Sequence, residues 1–323
     1  MKHIGRLISL GIAKEATRGT RVASQYWLPV KSADHSGKVE YVDDDSALGV
    51  IHDVSESEIV KEWAEGGFGS LIGDDHFGLI LLGLLGSVAS VESADAGVYD
   101  HTFTVDDSAE HDSVTIEIDQ PNGDKSYSLA IITALELSFE LGKYLDYKAG
   151  YMSKKGVDQT LTPVYAVENR FRPQDFSFKL AGNAAGLATS SNICVKSLNL
   201  SVEKNVTPDD CLGSTEPQDF TNGVMAITGS VTLNYDSQTY EDLALAGTKQ
   251  AMRVSLLNST VTLGASSNPS LVIDFEKVAF TEVSFSRGLD DIVTQELTFK
   301  VLYNTSASKA ISSCVLTNEV VSY

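Results

Sequence analysis

Serine, histidine and aspartate are all present, so a nucleophile, a base and an orienting acid are available, but no GxSxG elbow accompanies them. The six histidines (His3, His35, His52, His76, His101 and His111) show neither HExxH nor any other paired ligand spacing. Their polar or loop surroundings read as surface positions. Asp43-Asp44-Asp45 and the group Asp106, Asp107, Glu110 and Asp112 supply enough carboxylate for a hard cation. Neither has the glycine-centred loop of an EF-hand, and a solvated acidic loop is the plainer reading. Gly66-Gly67-Phe68-Gly69 and residues 182–186 lack the Lys-Ser/Thr of a phosphate loop and read as turns. Lys154-Lys155 and Arg170-Phe171-Arg172 are too sparse for a nucleic-acid patch. The motifs identify no catalytic, cofactor-binding or metal site, so the expectation is a protein that is no enzyme and takes no cofactor. An enzyme whose site leaves no motif is the minor alternative.

Charge is more informative than these residue types. The 323 residues carry a net charge of −20, distributed as +5 over residues 1–39, −19 over 40–119 and −6 over 120–323. The acidic quarter is either a solubilising surface or one that repels polyanions and meets a basic patch, such as the N-terminal segment of a neighbouring copy. Tight binding of nucleic-acid phosphates is disfavoured in both cases. Cys194, Cys211 and Cys314 are odd in number and without CxxC spacing, which suits a reducing compartment better than a disulfide framework. The apolar run at residues 8–13 is too short for a secretion leader, and no stretch approaches a membrane span.

The elements that must position any site are strands. In 134–141 Leu135, Leu137, Phe139 and Leu141 share one face, with Glu136, Ser138 and Glu140 on the other. Residues 196–204 and 295–301 repeat the alternation, and 113–118, 224–235, 251–257 and 270–275 also read as strands. Antiparallel sheets with one buried face follow. Three short helices are expected. One spans 55–65, from the capping-box spacing of Ser55 and Glu58 to Gly66-Gly67. The second runs from Asp74/Asp75 to Gly86, and the third covers 239–246 before Gly247.

The last two helices expose an internal repeat. Asp75, Leu82, Leu84 and Gly86 match Asp236, Leu243, Leu245 and Gly247 at an offset of 161. Downstream, Glu136, Ser138, Phe139 and Gly142 match Glu282, Ser284, Phe285 and Gly288 at an offset of 146. The difference implies extra chain in the first half, placed within about 87–119. The halves divide near 175, giving domains 1–175 and 176–323.

Gly11-Ile12-Ala13-Lys14-Glu15-Ala16-Thr17-Arg18-Gly19-Thr20 followed by Trp27-Leu28-Pro29-Val30 resembles the start of tail tube (major tail) proteins of long-tailed bacteriophages. Asp219-Phe220-Thr221-Asn222-Gly223 before a strand, the short helix at Tyr240, and the turn Gly288-Leu289-Asp290-Asp291-Ile292 before a last strand resemble their far end. The resemblance implies β-sandwich tube domains with short flanking helices. Inner sheets of neighbouring copies join into a β-barrel, and long loops reach the next ring. Rings of this family hold six single-domain subunits or three two-domain ones. The repeat here favours three, with six as the alternative. Expected partners are further copies of the chain, the tail tape measure and the tail tip or terminator proteins, with DNA passing through unbound and no membrane involved. The expected location is the virion tail, assembled in the host cytoplasm. Glu136, Glu140, Glu282 and Glu296 would then face an acidic lumen, although a merely solvated sandwich face accounts for them equally. A capsid-decoration or adhesion module is the alternative function.

Overall fold

In the computed structural model, which describes residues 2–323, antiparallel strands dominate and two α-helices are inserted between them. The first half contains β1 (Ser9–Lys14), β2 (Tyr26–Leu28), β3 (Val30–Asp44), β4 (Glu56–Leu71), α1 (Phe77–Leu85), β5 (Gly86–Glu92), β6 (Tyr99–Val105), β7 (Val114–Asp119), β8 (Asp124–Glu140), β9 (Asp146–Ser153) and β10 (Val157–Gln159). The second contains β11 (Phe176–Ala181), β12 (Val195–Asp209), β13 (Asp219–Asn234), α2 (Thr239–Leu245), β14 (Gln250–Leu257), β15 (Ser270–Ser286), β16 (Thr294–Val301) and β17 (Ile311–Asn318).

One long sheet runs through both halves in the order β3-β4-β9-β8-β12-β13-β16-β15. It does not close on itself. The long strands β8 and β15 belong to two layers. Their opening residues pair instead with β7 and β10, and with β14 and β17. The second layer is thus β2-β1-β7-β8-β10 in the first half and β11-β14-β15-β17-β6-β5 in the second. Leu135, Leu137, Phe139, Leu198, Leu200, Val231, Leu297 and Phe299 point into one core shared by both halves. Their strict alternation with polar residues is what a half-buried antiparallel sheet requires. All nine residues of α1 are buried, which explains an apolar run with no polar face. Gly86, at φ 93°, ends it by donating its N–H to Leu82 O.

The two halves repeat small irregularities as well as strand order. Lys31 bulges from β3 between Val30 and Ser32, and Lys196 bulges from β12 between Val195 and Ser197. Thr133 in β8 and Thr281 in β15 occupy equivalent bulges. Gly66 faces Tyr151 and Gly229 faces Phe299, and a Cβ at either glycine would come within 2.6 Å of the ring. Between α1 and β7 stands the hairpin β5–β6, whereas α2 leads directly to β14. That hairpin pairs with β17, so it extends the other half's layer.

Three expectations are corrected. Residues 55–65 are not helical: Ser55 lies just before β4 and 56–65 lie within it, paired with β3. Ile59 and Val60 favour that extended form, and a capping box worth about 1 kcal/mol does not outweigh a full ladder. Gly66-Gly67-Phe68-Gly69 consequently lies inside a strand and forms no turn. Third, the bulges align β8 with β15 at an offset of 148 residues, Thr133 with Thr281, so Glu136 corresponds to Ser284 and not to Glu282. The two-residue slip leaves every side chain on its face, which is why sequence identity alone could settle on the wrong step.

Candidate functional site

The outward face of the long sheet brings the four glutamates together. Glu136 stands opposite Lys148 of β9 and Ser201 of β12, and the row continues through Thr228 to Lys300. The next row runs Asp146, Ser138, Asn199, Ser230, Thr298 and Glu282. The third runs Glu140, Ser197, Thr232, Glu296 and Ser284. Glu203, opposite Ala134, begins a fourth. Glu136, Glu140, Glu282 and Glu296 are all exposed, while the residues between them in each strand fill the core.

The chemistry of this face is uniform. Glu136, Glu140, Asp146, Glu203, Glu282 and Glu296 outnumber Lys148 and Lys300, and hydroxyl and amide side chains fill the space between. Lys143, from the β8–β9 turn, binds Glu140 at 2.6 Å. Ser138 Oγ donates to Asn199 Oδ1 at 3.0 Å, so the best-placed hydroxyl has an amide beside it and no base. Among the described residues, these rows contain no aromatic ring. Trp63 of β4 stands at their margin, donating to Glu65 at 2.8 Å with the Lys61 ammonium 5.0 Å from its ring centroid. A face of carboxylates and hydroxyls repels phosphate and offers bases nothing to stack upon.

Behind the sheet, charged residues that patterning did not single out hold the segments together. Glu15 is buried and accepts hydrogen bonds from Gly19 N at 2.7 Å, Leu129 N at 2.8 Å, Ser113 Oγ at 2.5 Å and Thr115 Oγ1 at 3.0 Å. Leu129 is held at φ 52°, a left-handed conformation costly for leucine, and its N–H points at that carboxylate. Arg18 donates to both carboxylate oxygens of Asp219, at 2.8 and 2.9 Å, and to Phe220 O at 2.9 Å. Lys204, buried in β12, donates to Gly83 O at 3.1 Å near the end of α1, with His111 Nδ1 at 3.2 Å. Burial, then the nearby Arg18, pulls its pKa down to about 7.

His76, His101 and His111 are buried, correcting the expectation of surface histidines. His101 reaches Ser90 Oγ at 2.7 Å and Asn318 Oδ1 at 2.9 Å, and burial lowers its pKa. His76 contacts Glu168 at the start of α1. Asp75, beside it, is pushed up to about 7 by burial and by Asp74, Glu168 and Glu319. The Tyr323 hydroxyl donates to Asp75 O at 2.5 Å, its ring filling the space beside Gly78. These histidines act as hydrogen-bonding core residues. For His101 the signal available in the sequence was its place two residues from Phe103 on one strand face; His76 and His111 have no comparable alternation around them.

Among the described residues, no group of three His, Cys, Asp or Glu side chains could hold a metal ion, and no helix is long and apolar enough to cross a membrane. The three cysteines are free, Cys314 buried and the other two exposed.

A sequence profile of the family described as "Phage tail tube protein" matches residues 5–301. No curated protein matches the sequence. Among solved structures, a hybrid NMR and cryo-EM structure of the SPP1 tail tube is similar at a TM-score of 0.29 and 12% identity, covering 46% of this chain and 80% of that one. A crystal structure of an Hcp protein is similar at a TM-score of 0.22 and 14% identity, covering 43% and 96%.

Proposed function

The chain belongs to the phage tail tube protein family and is a structural protein of the virion tail; on that premise we propose that its copies assemble three to a ring and that stacked rings form the conduit for DNA. Residues 1–175 and 176–323 serve as two tube domains, so three chains supply six. The repeated strand order, bulges and glycine–aromatic contacts support this reading over a ring of six chains.

The observation that carries the function is the polar face of the long sheet, with Glu136, Glu140, Glu282 and Glu296 exposed on it. That face lines the lumen. DNA sliding past it meets like charge within a Debye length of about 8 Å and no aromatic platform in the rows. The β3–β4 hairpin extends beyond the sheet as an arm exposing Val39, Tyr41, Leu48, Val50 and Ile51. Such apolar surface on a soluble subunit marks an interface, and here it reaches the adjoining ring. Stacking of this kind is heterologous and propagates without closing. The tape measure and the tail tip or terminator proteins meet the lumen and the tube ends, and assembly takes place in the host cytoplasm.

Negative-stain microscopy of the purified protein tests the function: rings or tubes of even calibre are expected. Persistent monomers at high concentration would overturn it. The mass of an isolated ring, three chains against six, tests the stoichiometry.

A further inference from the structure

The chain contains one complete example of a junction between tube-type halves, where β8 of the first meets β12 of the second. Its register puts Glu140 opposite Ser197, Glu136 opposite Ser201 and Ala134 opposite Glu203. The same two kinds of edge recur unpaired at the ends of the sheet. β3 pairs with β4 on one side only. Beyond Val278, β15 pairs with β16 only. By strand order and bulge position, β3 corresponds to β12 and the free part of β15 corresponds to the end of β8.

Unpaired edges of this length invite pairing, and a soluble protein normally blunts them. Here they are blunted only lightly. Ser32, Asp34, Ser36 and Lys38 of β3 and Glu282, Ser284 and Ser286 of β15 are exposed, while Val283 and Phe285 are half-buried with nothing beyond them in the sheet.

We propose that β3 of one copy pairs antiparallel with residues 282–288 of β15 and its following turn in the next copy, in the register of the internal β8–β12 junction. This rests on the tube reading and assigns its mating edges. The Lys31 and Lys196 bulges align β3 with β12, and the Thr133 and Thr281 bulges align β8 with β15. Carried across, Glu140–Ser197 becomes Gly288 opposite Ser32, and Glu136–Ser201 becomes Ser284 opposite Ser36. Ala134–Glu203 becomes Glu282 opposite Lys38. The internal junction has no charge pair at that step, whereas the junction between copies has a carboxylate facing an ammonium. Lys38 is free to turn to it, because its neighbour Glu65 is 3.7 Å away and both side chains are well exposed. On the other face, Phe285 lies opposite His35, where the internal junction has Leu137 opposite Leu200. An apolar contact thus becomes an aromatic one. The charge pair also gives direction, since it matches the basic N-terminal segment of one copy to an acidic position of the next.

The full-length chain with Cys194→Ser and Cys211→Ser provides the background for the test. Ser36→Cys with Ser284→Cys should form an inter-chain disulfide on mild oxidation of assembled rings, because directly opposed Cβ atoms lie within about 5.5 Å. Ser36→Cys with Glu282→Cys, two residues out of step, should cross-link far less. Independently, Lys38→Glu or Glu282→Lys alone should raise the concentration needed for assembly roughly fivefold, and the double exchange should restore it. Rings that assemble without the first cross-link, or that favour the out-of-step pair, overturn the register. A double exchange no better than the single ones removes the ion pair. Failure of the unsubstituted chain to form rings would instead overturn the tube reading.

Discussion

Arg18 grips Asp219 across 201 residues of chain, with Nε 2.8 Å from one carboxylate oxygen and 2.9 Å from the other. One partner lies in the loop after β1 and the other opens β13, so the contact fastens the start of the first half to the second. Both side chains are about one-quarter exposed, which screens the pair only in part. Arg18→Ala should cost about 2 kcal/mol, because Asp219 and Phe220 O lose their donor together. A double-mutant cycle with Asp219→Ala, followed by urea unfolding, should return a coupling of about 1 kcal/mol. Additive effects would show that the two residues act separately.

The glycine–aromatic contacts make a paired prediction. Gly66→Ala would bring a Cβ to 2.6 Å from both Asp34 O and the Tyr151 ring, and Gly229→Ala would bring one still closer to Asn199 O and to 2.6 Å from the Phe299 ring, if nothing moves. Each should destabilise by about 1–3 kcal/mol, the usual cost of overpacking. Phe299→Leu should recover part of the loss from Gly229→Ala but none from Gly66→Ala. Thermal unfolding of the four variants checks both the cost and its locality.

Much of this fold was legible because its sheet has one wet face. Leu135, Leu137 and Phe139 against Glu136, Ser138 and Glu140 read as a strand directly, and the helix ending at Gly86 carried its own stop signal. Ser55 and Glu58 misled because a local cap is visible in sequence while the β3–β4 ladder is not. That the glutamates lie on the polar strand face was legible but their relative step was not, since bulges at Thr133 and Thr281 leave no mark on alternation further along. Arg18 and Asp219 belonged to segments noticed for their resemblance, yet only folding shows that they touch. His76, His101 and His111 looked polar by residue type, and their partners come from the connection between β10 and β11, from the end of β17 and from α1.

Asp75 supplies a pH dependence. Its folded pKa of about 7 lies above the ordinary value of 3.8, so the folded state holds the proton more tightly than the unfolded one. The associated stability is fully present below about pH 4 and is lost as pH rises towards and through 7. Asp75→Asn removes the ionisable group, so it should raise stability at pH 8 by roughly 1–2 kcal/mol, discounted for partial exposure, and change little at pH 4. Melting temperatures of the two proteins across that range provide the check. Parallel curves would mean that Asp75 is not the group responsible.

If the glutamate face lines the lumen, as proposed, building the tube and using it should be separable. Glu136, Glu140 and Glu296 are exposed, contribute nothing to the core and lie away from the proposed mating edge of Glu282, so replacing these three with Gln should leave folding and tube formation within about 0.5 kcal/mol per site of the parent. DNA would then slide over a wall with less negative charge, and ejection should slow. Replacement with Lys should go further, since each ammonium within reach of a phosphate releases counterions on binding. Such tubes should retain DNA, with retention falling steeply as salt is raised. Filter binding on assembled tubes and ejection timing on reconstituted virions read the two effects separately. Intact tubes with Lys at these three positions that neither hold DNA nor delay its exit would place these residues outside the lumen, leaving the sheet's polarity as simple solvation.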